Sequence, residues 1–295
     1  MTYIYIDMLF ESDTGLASLW LSGWLSGLKE TVPRLGMTAG LYLLLGILEL
    51  DFAGRKDLPT LWDRFKNITF MLILFAGGLT VTTAFALIWP WEPRRFELSD
   101  PRELLFVAFL YLLIFDFLYY WYHRAQHKFS LFWPVHEVHH ADGKFNVTTA
   151  MRSYWLELPL QSILIITPML MLVGLEPLAA LIFSLGSTAW NIFAHANLRL
   201  RFGILTPVLV GPQLHRLHHS KLRQHHDKNF AQFFAFIDVL FGTYCKPGRD
   251  EYPPTGAHSL PSDASILEVL LRPFKIWSKK IVSAFSGAPS GKNGY

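Results

Sequence analysis

Eleven of the twelve histidines in this 295-residue chain lie between His123 and His226, where even spacing would place about four. Three short segments hold most of them: His123, Arg124, Ala125, Gln126, His127; then His136, Glu137, Val138, His139, His140; then His215, Arg216, Leu217, His218, His219. Residues three and four apart on a helix share a face, with Cβ atoms roughly 5–6 Å apart, so each segment is expected to turn two or three imidazoles in one direction. Neutral imidazole ligates iron, copper, nickel or zinc, and eight rings from three segments exceed the four that one tetrahedral zinc uses. Two metal ions are the economical expectation. His195 is a ninth candidate, and His225 and His226, just before Asp227, are further ones. Two divalent cations among uncharged rings call for nearby carboxylates, and Glu137, Asp142 and Asp227 are the ones at hand. Asp116, two helical turns before His123, is expected to steer a ring through its second nitrogen, with Asn229 and Glu157 as further supports. His258, after a proline-rich loop, reads as a surface residue.

These segments need a scaffold, and the composition says where it stands. The chain is 52% apolar and 17% charged, against about 25% charged in an average soluble domain, so a water-facing surface is hard to cover. The net charge of +3 is not gathered into a basic tract, which excludes nucleic acid as a partner. A single cysteine, Cys245, excludes an intramolecular disulfide framework and a cysteine-rich zinc site. No charge occurs from Asn67 to Trp91, longer than the roughly 20 residues a membrane span requires. A second span is expected from Leu104 to Tyr122, broken only by Asp116 and closed by an aromatic cluster, Tyr119 to Tyr122, that suits a membrane interface. Leu158 to Ala194 reads as a helical hairpin turning at Gly174 to Pro177, which dips into the membrane and returns to the same side. Leu35 to Leu50 is a further candidate span. Leu16 to Leu28 reads as an interfacial amphipathic helix, Pro273 is expected to open a second surface-lying helix, and Ser286 to Tyr295 to form a disordered tail. The first residues do not look like a signal peptide.

The hairpin returns the chain to the face where the second span ends, near Tyr122, so all the clustered histidines are expected at one face. Arg124, Lys128, Lys144, Arg152, Arg199, Arg201, Arg216, Lys221 and Arg223 share it, and the positive-inside rule makes it cytosolic; Arg94, Arg95 and Arg102 fall on the opposite loop. The expected fold is all-α: an integral membrane bundle of four to five helices, hairpin included, with a cytosolic helical cap holding a dimetal site. We treat the chain as one domain over 1–295, with an interfacial segment at 1–30, membrane helices at 35–122, a histidine core at 123–245 containing the hairpin 158–194, and a cytosolic tail at 246–295.

The order HRxxH, HxxHH, then HxxHH after a membrane hairpin resembles the fatty acid hydroxylase superfamily, also called the sterol desaturase family, of integral membrane di-iron oxygenases. The likeness covers roughly Phe115 to Tyr244. It includes Asp116, Tyr120 and Trp121 before the first box; Asn146, Thr149, Ala150 and Arg152 after the second; His195 and Asn197 before the third; then Asp227 to Phe230 and Phe241 to Tyr244. The nearest branch is the one of alkylglycerol monooxygenase-like and bacterial sterol-desaturase-like proteins. The resemblance implies two irons held by His123, His127, His136, His139, His140, His215, His218 and His219, with His195 as ninth ligand. It also implies dioxygen as co-substrate, a lipid entering from the bilayer, and hydroxylation of an aliphatic carbon, or desaturation by the same site. Zinc could replace iron in a purified sample. With no fused cytochrome b5 signature, electrons are expected from another protein: a reductase, a ferredoxin or a cytochrome b5-like donor.

Other readings explain less. His136 to His140 is a literal H-E-x-x-H, the zinc protease signature with Glu137 as general base, but a protease site would leave five or more histidines idle. Glu137 and His140 also match the E-x-x-H of carboxylate di-iron bundles, which need that motif twice. A haem carrier wants single histidines on facing helices, and a metal transporter places ligands near mid-membrane.

Overall fold

The computed structural model describes residues 38–89 and 91–286, together with Leu21, Leu25 and Gly36. The amphipathic helix expected over Leu16 to Leu28 and the tail beyond Ser286 lie outside the described residues. Those described are helical or irregular, with three isolated extended bridges: Ala53 with Leu198, Arg95 with Leu175, and Ser220 with Thr255. Helix α1 covers 38–52, within which most of the expected span from Leu35 falls.

Helix α2 is Leu61–Ile88. It begins before the uncharged stretch because Thr60 and Asp63 form a reciprocal capping box, each side chain accepting from the other's backbone N–H. Helix α3, Pro101–Lys128, has Asp100 as N-cap and proline in its first turn. At 28 residues it is about 42 Å long, and it carries the first histidine segment on the same continuous rod as the expected span. Its aromatic cluster differs from expectation. Tyr120 and Tyr122 are buried and Trp121 is the exposed member, because the two hydroxyls have partners inside: Tyr120 with Thr243, and Tyr122 donating to Glu157.

The hairpin forms as expected, from α5 (Glu157–Val173, widened by a π turn over Ser162–Ile166) and α6 (Pro177–Ala194). Its tip is fixed by one phenol. Tyr111 donates to the Gly174 carbonyl at 2.9 Å and accepts from the Glu176 N–H at 2.8 Å. Gly174 has φ 89°, and a Cβ there would stand 2.7 Å from the Arg94 carbonyl oxygen, so only glycine fits. Tyr111 lies well inside α3, so the hairpin packs beside the C-terminal part of that helix, which ends in histidines.

The remaining helices are short: α4 (Trp133–His140), α7 (Pro212–His218) and α8 (Ala235–Leu240). Helix α9, Ile266–Ser286, corrects one expectation: Pro273 lies inside it. The helix starts earlier because Ser265 and Glu268 cap each other across its first turn. Among the described residues, three helices, over Leu61–Phe85, Pro101–Lys128 and Pro177–Ala194, are long and apolar enough to cross a membrane. Large apolar side chains such as Trp62, Leu72, Phe106, Phe109 and Leu178 face outward from them, the pattern of a membrane protein.

Helices α2 and α5 approach closely at Gly78, where a Cβ would meet Leu158 side-chain atoms at 2.7 and 2.8 Å. Gly78→Val is expected to lower stability by about 1–3 kcal/mol through overpacking, whereas Gly186→Ala, which meets nothing within 4 Å, should be neutral or stabilising. Thermal melting of both variants in the same detergent checks this; equal melting temperatures would mean the helices can part without cost.

Candidate metal centre

The nine histidines His123, His127, His136, His139, His140, His195, His215, His218 and His219 converge. They form two groups, in each of which the candidate ligand nitrogens lie within 4.8 Å of one another: His123, His127, His136, His140 and His218 in one, His139, His195, His215 and His219 in the other. The division corrects the expectation that each segment points one way. On α4, His136 and His140 are four apart and share the first group, while His139, turned by about 100° from its neighbour His140, joins the second. Around α7 the pattern inverts: His215 and His219 face the second group and His218 the first.

The ring orientations are set from behind. His123 Nδ1 lies 2.7 Å from the Phe230 carbonyl, His139 Nδ1 3.0 Å from that of Arg152, His195 Nδ1 2.7 Å from that of Asn191, and His218 Nδ1 2.8 Å from that of Lys228. A carbonyl only accepts, so each of these rings carries its proton on Nδ1 and a bare lone pair on Nε2. His136 Nδ1 likewise faces Glu157 Oε1 at 3.4 Å. Yet the Nε2 atoms face one another: His139 and His195 at 3.2 Å, His123 and His136 at 2.9 Å. The Nε2 of His218 is buried with no hydrogen-bond partner. Bare lone pairs at such distances repel unless a cation lies between them, and two nitrogens bound to one ion at about 2.1 Å stand roughly 3.0–3.4 Å apart. The residues present therefore fit one metal ion in each group.

Aromatic rings close the site to water. Phe145 stacks on His195 and packs on His219, Phe230 and Trp133 both pack on His127, and all four histidine–aromatic centroid distances are between 4.9 and 5.3 Å. Burial pushes His136, His140, His195, His215, His218 and His219 well below the ordinary imidazole pKa and His139 down to about 4, which keeps the rings neutral and able to ligate.

Comparison with known proteins agrees with this geometry. Residues 108–243 match the family described as fatty acid hydroxylase. The match covers 136 of the 295 residues, a little under half of the chain. It is 25% identical to the alkylglycerol monooxygenase of Caenorhabditis elegans over 82% of this chain and 47% of that one. It is 30% identical to the Homo sapiens alkylglycerol monooxygenase over 53% and 34%, and 29% identical to an ornithine lipid hydroxylase of Rhizobium tropici over 63% and 59%. The matches thus span between about a third and three fifths of these relatives. No solved structure matches the chain.

Within the matched region, the other candidate residues fall into place differently. Glu157 is at the site: its carboxylate accepts from Tyr122 and from Gln126 at 2.7 Å each and faces His136. Asp227 lies 3.7 Å from His127 at the exposed edge. Glu137 joins neither histidine group. Its fully buried carboxylate is gripped by Arg272 at 2.8 and 3.2 Å and by the Ser259 hydroxyl, because on α4 it is turned about 100° from His136, toward α9. Asp142 binds Asn67, Thr149 and the Lys144 N–H instead. Asp116 touches no imidazole; three successive N–H groups, of Gln232, Phe233 and Phe234, occupy its oxygens. Asn229, at φ 57°, exchanges hydrogen bonds with the Cys245 backbone. His225 pairs with Ser220 and Glu251, and His226 packs on His258, so neither joins the two groups.

Sequence reasoning missed two sets of residues. The backbone carbonyls behind the rings leave no side-chain signature. A polar stripe on α6, Ser184, Ser187, Thr188 and Asn191, leads to His195 at spacings of three and four, and that periodicity was readable. Two outcomes follow. Glu137→Gln is expected to destabilise the protein by about 2 kcal/mol by leaving Arg272 without its charge partner while keeping the metal content of the parent; a variant as stable as the parent would show the tie to be idle. For the histidines, the unfolded chain takes up protons below about pH 6.5 that the folded one refuses down to about 4. The metal-free protein should therefore lose stability as pH falls through that window, seen as a melting temperature lower by at least about 5 °C at about pH 5 than at about pH 7.5.

Proposed function

We propose that this protein is a membrane-bound, O2-dependent di-iron oxygenase that hydroxylates an aliphatic C–H bond of a lipid. The observation that carries this is the pair of facing bare Nε2 atoms in each histidine group, His123 with His136 and His139 with His195, which calls for two cations rather than one. Five nitrogens in one group exceed a tetrahedral zinc site, and the relatives' names, alkylglycerol monooxygenase and ornithine lipid hydroxylase, describe oxidation of lipids.

Iron bound by His123, His127, His136, His140 and His218 on one side, and by His139, His195, His215 and His219 on the other, supplies the capacity to activate dioxygen toward a C–H bond. The chain's own groups do the rest. The Arg152, Asn191, Lys228 and Phe230 carbonyls hold four rings in their ligating tautomer. Glu157 brings one negative charge to His136 Nδ1, which partly offsets cationic charge in a low-dielectric site. Phe145, Phe230 and Trp133 keep water from the rings. Electrons come from a separate donor protein of the reductase, ferredoxin or cytochrome b5 type. The centre lies on the cytosolic face, supported by Arg124, Lys128, Lys144, Lys221 and Arg223 around it. With Glu137 tied to Arg272, the zinc-protease alternative lacks its base.

Elemental analysis of purified protein should give about two irons per chain. His139→Ala and His218→Ala, one from each group, should each fall below two and lose turnover, whereas His258→Ala should match the parent. Lipid extracts of cells with and without the active gene, under labelled oxygen, should differ by labelled hydroxylated lipid. One zinc per chain, or equal activity in all three variants, would refute the proposal.

A further inference from the structure

One cavity touches both histidine groups. It has a volume of about 190 Å³, reaches His136 of the first and His139 of the second, and extends between α3, α5 and α6. Phe115 and Tyr119 of α3 form its apolar wall. Ala150 aside, the rest is unexpectedly polar for a space among membrane helices: Ser187, Thr188 and Asn191 from α6, Gln161 from α5, Ser153 just before it and Gln232 from the loop before α8. Polar side chains in a membrane interior are costly unless something satisfies them. The α6 residues stand in one stripe that climbs toward His195, so they line the approach to the centre rather than the lipid.

The charge of the wall is as informative as its polarity. No lysine or arginine lines the cavity, and its one carboxylate, Glu157, already accepts from Tyr122 and Gln126. Apart from the metal ions themselves, a phosphate or free carboxylate would find no countercharge there and would meet the negative Glu157, and a plain hydrocarbon would strip water from six polar side chains without replacing it. The volume is also below the roughly 300 Å³ of a pocket that encloses a whole small ligand, so it admits one portion of a lipid and leaves the remainder in the bilayer.

Building on the oxygenase reading, we infer that this cavity binds an uncharged hydrogen-bonding group of the lipid, a hydroxyl, ether or amide, through Gln161, Ser187, Thr188, Asn191 and Gln232, and so presents the polar end of the substrate for oxidation. The carbon attacked lies next to that group, and the tail trails outward past Phe115.

Purified protein in nanodiscs, with its iron content measured, is offered hexadecane, palmitate and glyceryl monopalmitate, which share a chain length and differ at the polar end. Binding is read by native mass spectrometry and product position by fragmentation. Glyceryl monopalmitate is expected to bind roughly 10-fold more tightly than the other two, and the near-isosteric double variant Ser187→Ala with Thr188→Val, at unchanged iron content, to lose roughly 5- to 10-fold of that affinity. The hydroxyl should appear near the glycerol end. Hexadecane or palmitate binding equally well, an iron-loaded double variant with undiminished affinity, or oxidation at the tail terminus overturns the inference. Should the double variant fail to load iron, Gln232→Leu, outside the helices, and the parent's own ranking of the three probes decide. The two claims fail separately: the expected ranking with no oxidation of any lipid by protein carrying two irons sinks the oxygenase reading alone, and oxidation without the ranking sinks the cavity assignment alone.

Discussion

The structure is organised around a repulsion. Several neutral imidazoles have their proton committed to a carbonyl or carboxylate behind them and their lone pair turned toward another lone pair in front, at 2.9 Å between His123 and His136 and 3.2 Å between His139 and His195. Such an arrangement persists only where surrounding packing enforces it or a cation resolves it. Everything nearby contributes to the enforcement: the aromatic walls that withhold water, the buried Glu157 with its two donors, and the interleaving by which α4 and α7 each serve both groups.

The carbonyls that aim the rings are themselves held. The segment 227–234 supplies two of them, from Lys228 and Phe230, and it is pinned by two buried carboxylates. Asp238 accepts from the Phe230 and Ala231 N–H groups, Asp116 from those of Gln232, Phe233 and Phe234. Asp227 and Asn229 both take left-handed backbone conformations at φ 57°, a geometry that asparagine and aspartate tolerate better than other side chains. A loop thus acquires the precision of a helix face. Asp116 influences His123 two steps removed, through the loop whose Phe230 carbonyl meets the ring.

Much of this was readable from residue types, and the limits are physical. Histidine spacing announced a multi-ring site, and the run of uncharged residues announced α2, because both signals are local. The resemblance raised by the three boxes matches the comparison with the fatty acid hydroxylase family over residues 108–243. How the boxes divide between two centres was not readable, since it depends on where α4 and α7 meet in space. Glu137 misled for the same reason: its sequence neighbourhood is that of a catalytic base, while its partner Arg272 lies 135 positions away. Pro273 misled because proline more commonly starts a helix than sits within one, and the Ser265–Glu268 cap, eight and five residues earlier, was overlooked. The polar stripe on α6 stands at helical period in the sequence, inside a stretch whose lack of charge pointed only to an arm of the hairpin.

The contact between Arg272 and Glu137 makes α9 and the second histidine segment a single mechanical piece. Helix α9 presents Leu267, Leu271, Phe274, Ile281, Val282 and Phe285 outward, with Lys275, Lys279 and Lys280 beside them, the residue pattern of helices that lie on lipid headgroups. A force that lifts this helix from the bilayer is delivered to Glu137, the immediate neighbour of His136 and two positions from His139. The placing of α9 and the placing of that segment are thereby joined through a single buried ion pair.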